Sequence, residues 1–159
     1  MNLNELFPAQ KEFDDLVIEK RKLNNVDLFT KKVQALKVEI AELDNETKVF
    51  KYWSDKKMNR AKALEEFADC VHFALSLGND LDYTNHEYKN SKPIDLTTLS
   101  LGLTNAVTFL SAQKTKEQIK AVFNLLIKYG YQIGFSEEEV ISAYYKKNEI
   151  NYERQQSGY

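Results

Sequence analysis

The scarcity of turn-forming residues constrains the fold of this sequence more than any other feature. Only five glycines and two prolines occur in 159 residues, so long segments contain nothing that breaks regular structure. Apolar residues in these segments recur at intervals of three and four, as in Leu36, Ile40 and Leu43, which is the spacing of one helix face. Convincing strand alternation is absent. The sequence therefore predicts an all-α fold, a helical bundle of about six helices.

Helix boundaries follow from the same periodicity and from capping residues. Four helices are predicted over about residues 8–22, 27–51, 61–81 and 96–112. Thr115 with Gln118, and Ser136 with Glu139, have the spacing of capping boxes that begin a fifth and a sixth helix. The chain is short and shows no internal repeat, so one domain over residues 1–159 is expected.

Charge and hydropathy exclude several classes of function. A formal net charge of −2 provides no basic field for duplex nucleic acid. No apolar run approaches the ~20 residues that span a bilayer, and the first ten residues lack the basic and apolar regions of a secretion signal. A single cysteine, Cys70, is typical of a reducing compartment. We therefore expect a soluble cytoplasmic protein with no membrane segment.

Two predicted helices carry acids beside their apolar stripes. Glu39, Glu42 and Glu46 lie within an arc of about 60° on the second helix. On the third, Glu66 and Asp69 repeat the spacing of three. Carboxylates gathered between packed helices repel one another and lose hydration unless a cation such as Mg²⁺ compensates. Spacing alone leaves two interpretations open, a metal site shared by both helices or ordinary solvent-exposed acids.

A different metal site is disfavoured. Asp69 and His72 have the spacing of a Glu-x-x-His pair in di-iron bundles, which need two such pairs and further glutamates. The only other histidine, His86, lies in a polar stretch. We therefore expect His72 to be a partly buried helix residue with a satisfied ring.

The last predicted helix combines cations and amides on one face. The residues that share this face are Tyr144, Lys147, Asn151 and Arg154, with Asn148 beside them. Such a stripe suits bound phosphates, because an arginine can donate two parallel hydrogen bonds to one phosphate. The alternative is a solvated basic face paired with neighbouring glutamates.

Four segments, spread over nearly the whole chain, resemble a known family. They are QKEFDD (10–15), FKYWS (50–54), EEFADCVHFALSLG (65–78) and AYYKKNEINYERQQSGY (143–159). The ExxE at 39–42 and the ExxD at 66–69 resemble the all-α nucleoside triphosphate pyrophosphatases, and the four segments resemble the dimeric all-α dUTPases of phages, some bacteria and trypanosomatids. The resemblance implies a homodimer that hydrolyses dUTP to dUMP and pyrophosphate with Mg²⁺, and that also accepts dUDP.

The resemblance also implies roles for individual positions. The implied metal ligands are Glu39, Glu42, Glu66 and Asp69. The implied substrate contacts of the last helix are Lys147, Asn148, Asn151 and Arg154. The catalytic carboxylates are expected among Glu39, Glu42 and Glu46, and whether Glu39 or Glu46 acts as the base stays open, since Glu46 also fits an exposed acid.

Recognition of the base is expected to involve an amide and aromatic rings. Gln10 can both donate and accept, as the uracil edge requires. Trp53 and Phe73 are predicted to border the base or sugar, although both also fit ordinary aromatic packing in the core. Lys51 is predicted either to approach a phosphate or to be a surface lysine.

Two alternative functions stay open at this stage. One is a related pyrophosphatase for another nucleotide such as dCTP. The other is a helical protein that acts by binding a regulatory protein. The complete set of four acids favours catalysis, because a protein that only binds a partner has no need for them.

Overall fold

The fold is a bundle of α-helices, seen here in a computed structural model that describes residues 1–89 and 91–158. Within these residues there are six α-helices and no β-strand, which confirms the all-α prediction. The helices are α1 (Leu6–Lys20), α2 (Phe29–Thr47), α3 (Arg60–Asp80), α4 (Leu96–Ala112), α5 (Lys116–Gln132) and α6 (Glu137–Ser157). Tyr159, the last residue of the C-terminal family-like segment, lies outside the described residues, as does Asn90.

Both predicted capping residues begin their helices, but one predicted helix end is wrong. Ser136 and Glu139 form the predicted reciprocal capping box of α6. Thr115 caps α5 by accepting from the Gln118 backbone N–H, but its own N–H donates to the Gln113 carbonyl oxygen, so only half of the predicted box is formed. The predicted end of α2 at residue 51 is wrong. The helix ends at Thr47 because Lys48 adopts a left-handed backbone conformation with φ of 63°.

The central element of the bundle is α3, which packs against α1, α2, α5 and α6. Its buried residues lie on every side of the helix, as expected for a helix surrounded by others. Gly78 allows α1 to approach closely, since a Cβ at this position would lie 2.8 Å from a ring carbon of Phe7. Polar side chains of α3 are therefore enclosed by neighbouring helices and must find partners there.

The antiparallel packing of α2 against α3 brings the two predicted acid motifs together. Near the start of α2, Lys32 Nζ lies 2.8 Å from a carboxylate oxygen of Asp80 at the end of α3. Further along α2, the Glu42 carboxylate lies close to that of Glu66 near the start of α3. In the described part of the chain, no helix is both long and apolar enough to cross a membrane.

Candidate active site

A cavity of about 670 Å³ lies between α1, α2, α3 and α6. Nine of the side chains predicted to form the site line it: Gln10, Glu39, Glu42, Glu66, Asp69, Phe73, Lys147, Asn151 and Arg154. The cavity has the volume typical of small-molecule sites. Residues far apart in the sequence therefore share one concave surface.

One part of the cavity holds the acid cluster, which consists of Glu39, Glu42 and Glu66. One carboxylate oxygen of each residue lies within 4.8 Å of the others. Burial, together with the charges of Asp69, Glu42 and Glu66, raises the pKa of Glu39 to about 7. Burial and neighbouring acids also raise the pKa of Glu66. An all-oxygen set with this much mutual repulsion has the composition of a hard divalent cation site.

Asp69 lies beside the acid cluster but is bound to a lysine. Lys147 Nζ lies 2.6 Å from an Asp69 carboxylate oxygen and 3.3 Å from Glu65. Burial raises the pKa of Asp69, and the contact with Lys147 opposes that rise. Burial also opposes the charged form of Lys147, but its bonds to Asp69 and Glu65 raise its pKa overall. The ammonium of α6 thus already neutralises part of the negative charge.

The predicted basic face of α6 is present in the cavity, with one exception. Asn151 and Arg154 line it together with Lys147, and the charge of Arg154 opposes the rise that burial causes in the pKa of Asp69. Asn148 is not among the lining residues. Its Oδ1 is buried and has no hydrogen-bond partner among the residues that the structure describes. One turn of α6 therefore directs its two neighbouring polar side chains, Lys147 and Asn148, to different surroundings.

Another part of the cavity is lined by most of the amide network, which consists of Gln10, Asp14, His72, Ser76 and the fully buried Tyr144. Gln10 Nε2 donates to Asp14 Oδ1 over 2.8 Å. Gln10 Oε1 accepts from the Tyr144 hydroxyl over 3.1 Å and lies 2.7 Å from His72 Nδ1. Ser76 Oγ donates to Asp14 Oδ2 over 2.5 Å. Ser76 lies about 15 Å along α3 from Glu66 of the acid cluster, at 1.5 Å per residue.

Of the five network residues, only Gln10 was predicted as a site residue. Asp14, His72 and Ser76 all line the cavity. For Asp14 a signal existed, because it lies four residues after Gln10 on one helix face in the family-like segment. Ser76 had no such signal, since its partner lies 62 positions away in the chain.

His72 behaves as a satisfied buried residue, as expected. Its ring stacks on Tyr144 with centroids 4.1 Å apart, and Nε2 lies 3.3 Å from the Tyr144 carbonyl oxygen. Burial lowers the pKa of His72 to about 4, so the ring is neutral at pH 7. His86 lies, as expected, in the polar stretch between α3 and α4, where it is buried, with Nδ1 2.8 Å from the Tyr83 hydroxyl.

Three other predicted residues lie elsewhere on the chain. Glu46 Oε2 lies 3.7 Å from Lys48 Nζ, and Lys51 Nζ donates to Asn45 Oδ1 over 2.5 Å. Trp53 is 64% exposed, so core packing does not explain it. None of Glu46, Lys51 and Trp53 is among the described residues that line the cavity. If they act on a substrate, it is not through this cavity of the same chain.

Comparison with known proteins assigns the chain to a family. No curated protein matches it significantly. A family model described as dUTPase matches residues 2–159, nearly the whole length. The match agrees with the all-α fold and with the four sequence segments that resemble this family. The chain therefore belongs to the all-α dUTPase family and is a nucleotide pyrophosphohydrolase.

Proposed function

We propose that this protein hydrolyses dUTP to dUMP and pyrophosphate, and dUDP to dUMP and phosphate, in a Mg²⁺-dependent reaction. This proposal rests on one observation: the acid cluster and the basic face of α6 line the same cavity, which is large enough for a small molecule. Acids that hold metal ions and cations that bind phosphate oxygens are the two groups that polyphosphate hydrolysis needs.

The side chains of the acid cluster fit Mg²⁺. Their ligand atoms are all carboxylate oxygens, and they lie close enough to share one ion. Burial and the repulsion among these acids raise the pKa of Glu39, and a bound cation relieves the repulsion. With Asp69 as the fourth ligand, Glu39, Glu42 and Glu66 would hold the ion. When bound, Mg²⁺ supplies charge neutralisation for phosphate oxygens and increases the acidity of a water molecule.

The α6 side chains bind and orient the phosphates. Lys147 exchanges Asp69 for a phosphate oxygen, because Asp69 then serves as a metal ligand and the ammonium needs a new anionic partner. Arg154 and Asn151 lie on the same face and add directional donors. Asn148 is assigned to the same group through its family-like position, and only its amide N–H groups can donate to a phosphate, because its buried Oδ1 accepts hydrogen bonds.

Glu39 is the proposed proton acceptor for the attacking water. It lines the cavity within the acid cluster and is half-buried, so its carboxylate lies beside the proposed ion and its water. Glu46, the other candidate, pairs with Lys48 away from the cavity. Glu42, the third predicted catalytic acid, acts with Glu39 by holding the ion.

The amide network and the adjoining apolar side chains form the proposed base and sugar site. Gln10 contacts the uracil edge, and Phe73 packs against the base or sugar. Further apolar lining comes from Phe13, Val17, Ile18 and Leu28. These side chains exclude water and so strengthen the hydrogen bonds to the base.

The enzyme is proposed to be a cytoplasmic homodimer of phage or bacterial origin. Large apolar side chains on the surface support a second copy as a partner: Tyr52 is 94% exposed, and Leu101 and Phe109 are also exposed. Trp53 and Lys51 lie in the same turn as Tyr52. Within this proposal, they contact substrate only across the dimer.

The test is product analysis with a panel of nucleotides. The purified protein is incubated with dUTP, dUDP, dCTP and the other deoxynucleoside triphosphates, with Mg²⁺ and then with EDTA. We expect dUMP from dUTP and dUDP, only with Mg²⁺, and slow or no turnover of dCTP. Preferential cleavage of dCTP would show instead a related pyrophosphatase that acts on dCTP. No cleavage of any nucleotide at high enzyme concentration would refute catalysis.

A further inference from the structure

We propose, building on the dUTPase function proposed above, that Asp14 is a positioning residue that fixes the orientation of the Gln10 amide and thereby selects uracil over cytosine. Gln10 is only 3% exposed, yet it lines the cavity. A side-chain amide has a donor end and an acceptor end of nearly equal shape, so its neighbours decide which end a ligand meets.

Two of the three neighbours of the Gln10 amide do not hold it in the observed orientation. The Tyr144 hydroxyl can donate or accept a hydrogen bond. The neutral His72 ring carries one N–H, either on Nδ1, 2.7 Å from Gln10 Oε1, or on Nε2, 3.3 Å from the Tyr144 carbonyl oxygen. Because that carbonyl only accepts, His72 alone favours the reversed amide, with the Gln10 nitrogen toward Nδ1.

Asp14 is the neighbour that cannot adapt. An ionised carboxylate only accepts hydrogen bonds, so the nitrogen of Gln10 must face Asp14 Oδ1, 2.8 Å away. The other oxygen of Asp14 accepts from Ser76 and lies 3.7 Å from Lys32 Nζ. Burial raises the pKa of Asp14, and the contacts with Ser76 and Lys32 oppose that rise and favour the ionised form. Reversing the amide would place its carbonyl oxygen against an anion.

With the amide fixed, Gln10 offers a ligand a donor and no acceptor. One N–H is bound to Asp14, and the second has no acceptor among the described residues. The carbonyl oxygen already faces His72 and Tyr144. Uracil has a carbonyl oxygen at the position where cytosine has an amino group. A donor therefore pairs with uracil, whereas with cytosine two buried donors face each other, which is costly.

The variant that tests this role is Asp14→Asn. The change keeps the size of the side chain but provides both a donor and an acceptor, so the Gln10 amide can reverse. We expect the ratio of kcat/KM for dUTP to that for dCTP to fall at least about tenfold, the scale of one charge-assisted hydrogen bond. The matched control is Asp15→Asn, an exposed neighbour that pairs with Lys11, and it should keep the wild-type ratio.

A structural role for Asp14 predicts a different result. If Asp14→Asn slows dUTP and dCTP by the same factor, the proposal is overturned. If this variant does not fold, Ser76→Ala loosens the carboxylate without touching Gln10, and a fall in the same ratio of about threefold is expected, on the scale of one neutral hydrogen bond. An unchanged ratio in Ser76→Ala then overturns the proposal.

Product binding separates this proposal from the catalytic one. Calorimetry with dUMP and dCMP needs no turnover, so it remains informative if the protein hydrolyses neither nucleotide. Wild-type preference for dUMP that is lost in Asp14→Asn supports the role of Asp14 even then. Equal preference in both proteins, or no preference in the wild type, overturns it.

Discussion

The acid cluster and the amide network lie in one cavity but satisfy their polar groups to different degrees. In the amide network, Gln10 and Asp14 both have protein partners at hydrogen-bond distance. In the acid cluster, the carboxylates of Glu39, Glu42 and Glu66 mainly face one another. Lys147 neutralises Asp69 and Glu65 nearby.

This difference separates two kinds of function within one site. Repelling carboxylates gain stability only when a cation arrives, so the acid cluster is built for a ligand ion. A satisfied network gains nothing from an ion, but it holds donors and acceptors in fixed directions, as selection of a base requires. Substitutions in the acid cluster should therefore reduce activity without reducing stability. Substitutions in the amide network should reduce stability.

The largest expected effect is on catalysis at the acid cluster. Glu66→Gln keeps the shape of the side chain but removes a charge needed to hold the ion, so kcat/KM for dUTP should fall at least ~10²-fold. Stability without metal should stay the same or rise, because the change removes repulsion. Steady-state kinetics and thermal unfolding in EDTA measure both, and the exposed Glu149→Gln is the control. Nearly full activity in Glu66→Gln would exclude this residue as a metal ligand.

Metal affinity should depend on pH through the same cluster. The raised pKa of Glu39, about 7, means that the carboxyl is partly protonated at neutral pH and must lose its proton when the ion binds. Mg²⁺ affinity should therefore fall up to about tenfold for each pH unit below 7. Calorimetry in buffers of different ionisation enthalpy measures the proton released. An affinity that is constant between pH 6 and pH 8 would contradict the assignment.

In the amide network, substitution should reduce stability. Gln10→Leu removes one hydrogen-bond partner from Asp14 and one from His72, and both side chains stay enclosed between the helices. We expect a loss of about 1–3 kcal/mol in the free energy of unfolding, which lowers Tm by several degrees. Denaturant and thermal unfolding measure the loss, with the exposed Gln113→Leu as control. If Gln10→Leu is as stable as the wild type, the network does not stabilise the fold.

The effect that is smallest in the wild type is a pair of opposite pH slopes in stability, measured in EDTA, because the two slopes offset each other. The pKa of His72 falls to about 4 in the folded protein, so between pH 6.5 and pH 4 the unfolded chain binds more protons and stability falls as pH falls. The pKa of Glu39 rises to about 7, so between pH 7 and pH 4.5 the folded protein binds more protons and stability rises as pH falls.

Two variants isolate these slopes. Relative to the wild type, His72→Gln should lose less stability on acidification, and Glu39→Gln should lose more. Thermal unfolding from pH 4.5 to pH 7.5 gives both differences. Differences of the same sign would show that the two regions are not electrostatically distinct.

Periodicity and spacing predicted the helices and the acid motifs because both are local properties of the chain. The register of Glu39 and Glu42 against Glu66 follows once two helices pack antiparallel along their apolar stripes. The end of α2 was missed because the left-handed residue is Lys48, and lysine carries no signal for that conformation.

Side-chain partners between helices could not be predicted from spacing. Asp14 meets Ser76 across α1 and α3, a pairing set by the packing of whole helices. Asn148 and Lys147 are adjacent in sequence, but a rotation of about 100° per residue separates their surroundings. Trp53 lies in a turn after α2, where neither periodicity nor capping places a side chain.

The central claim is that the acid cluster and the basic face of α6 form one metal-dependent site for dUTP. Phosphorus NMR of dUTP with the purified protein tests this most directly, since it identifies the bond that breaks. We predict that Mg²⁺ produces dUMP and pyrophosphate resonances in equal amounts, that EDTA stops the reaction, and that Glu66→Gln abolishes it. Unchanged dUTP in the presence of Mg²⁺, or release of single phosphates from dUTP, would contradict the claim.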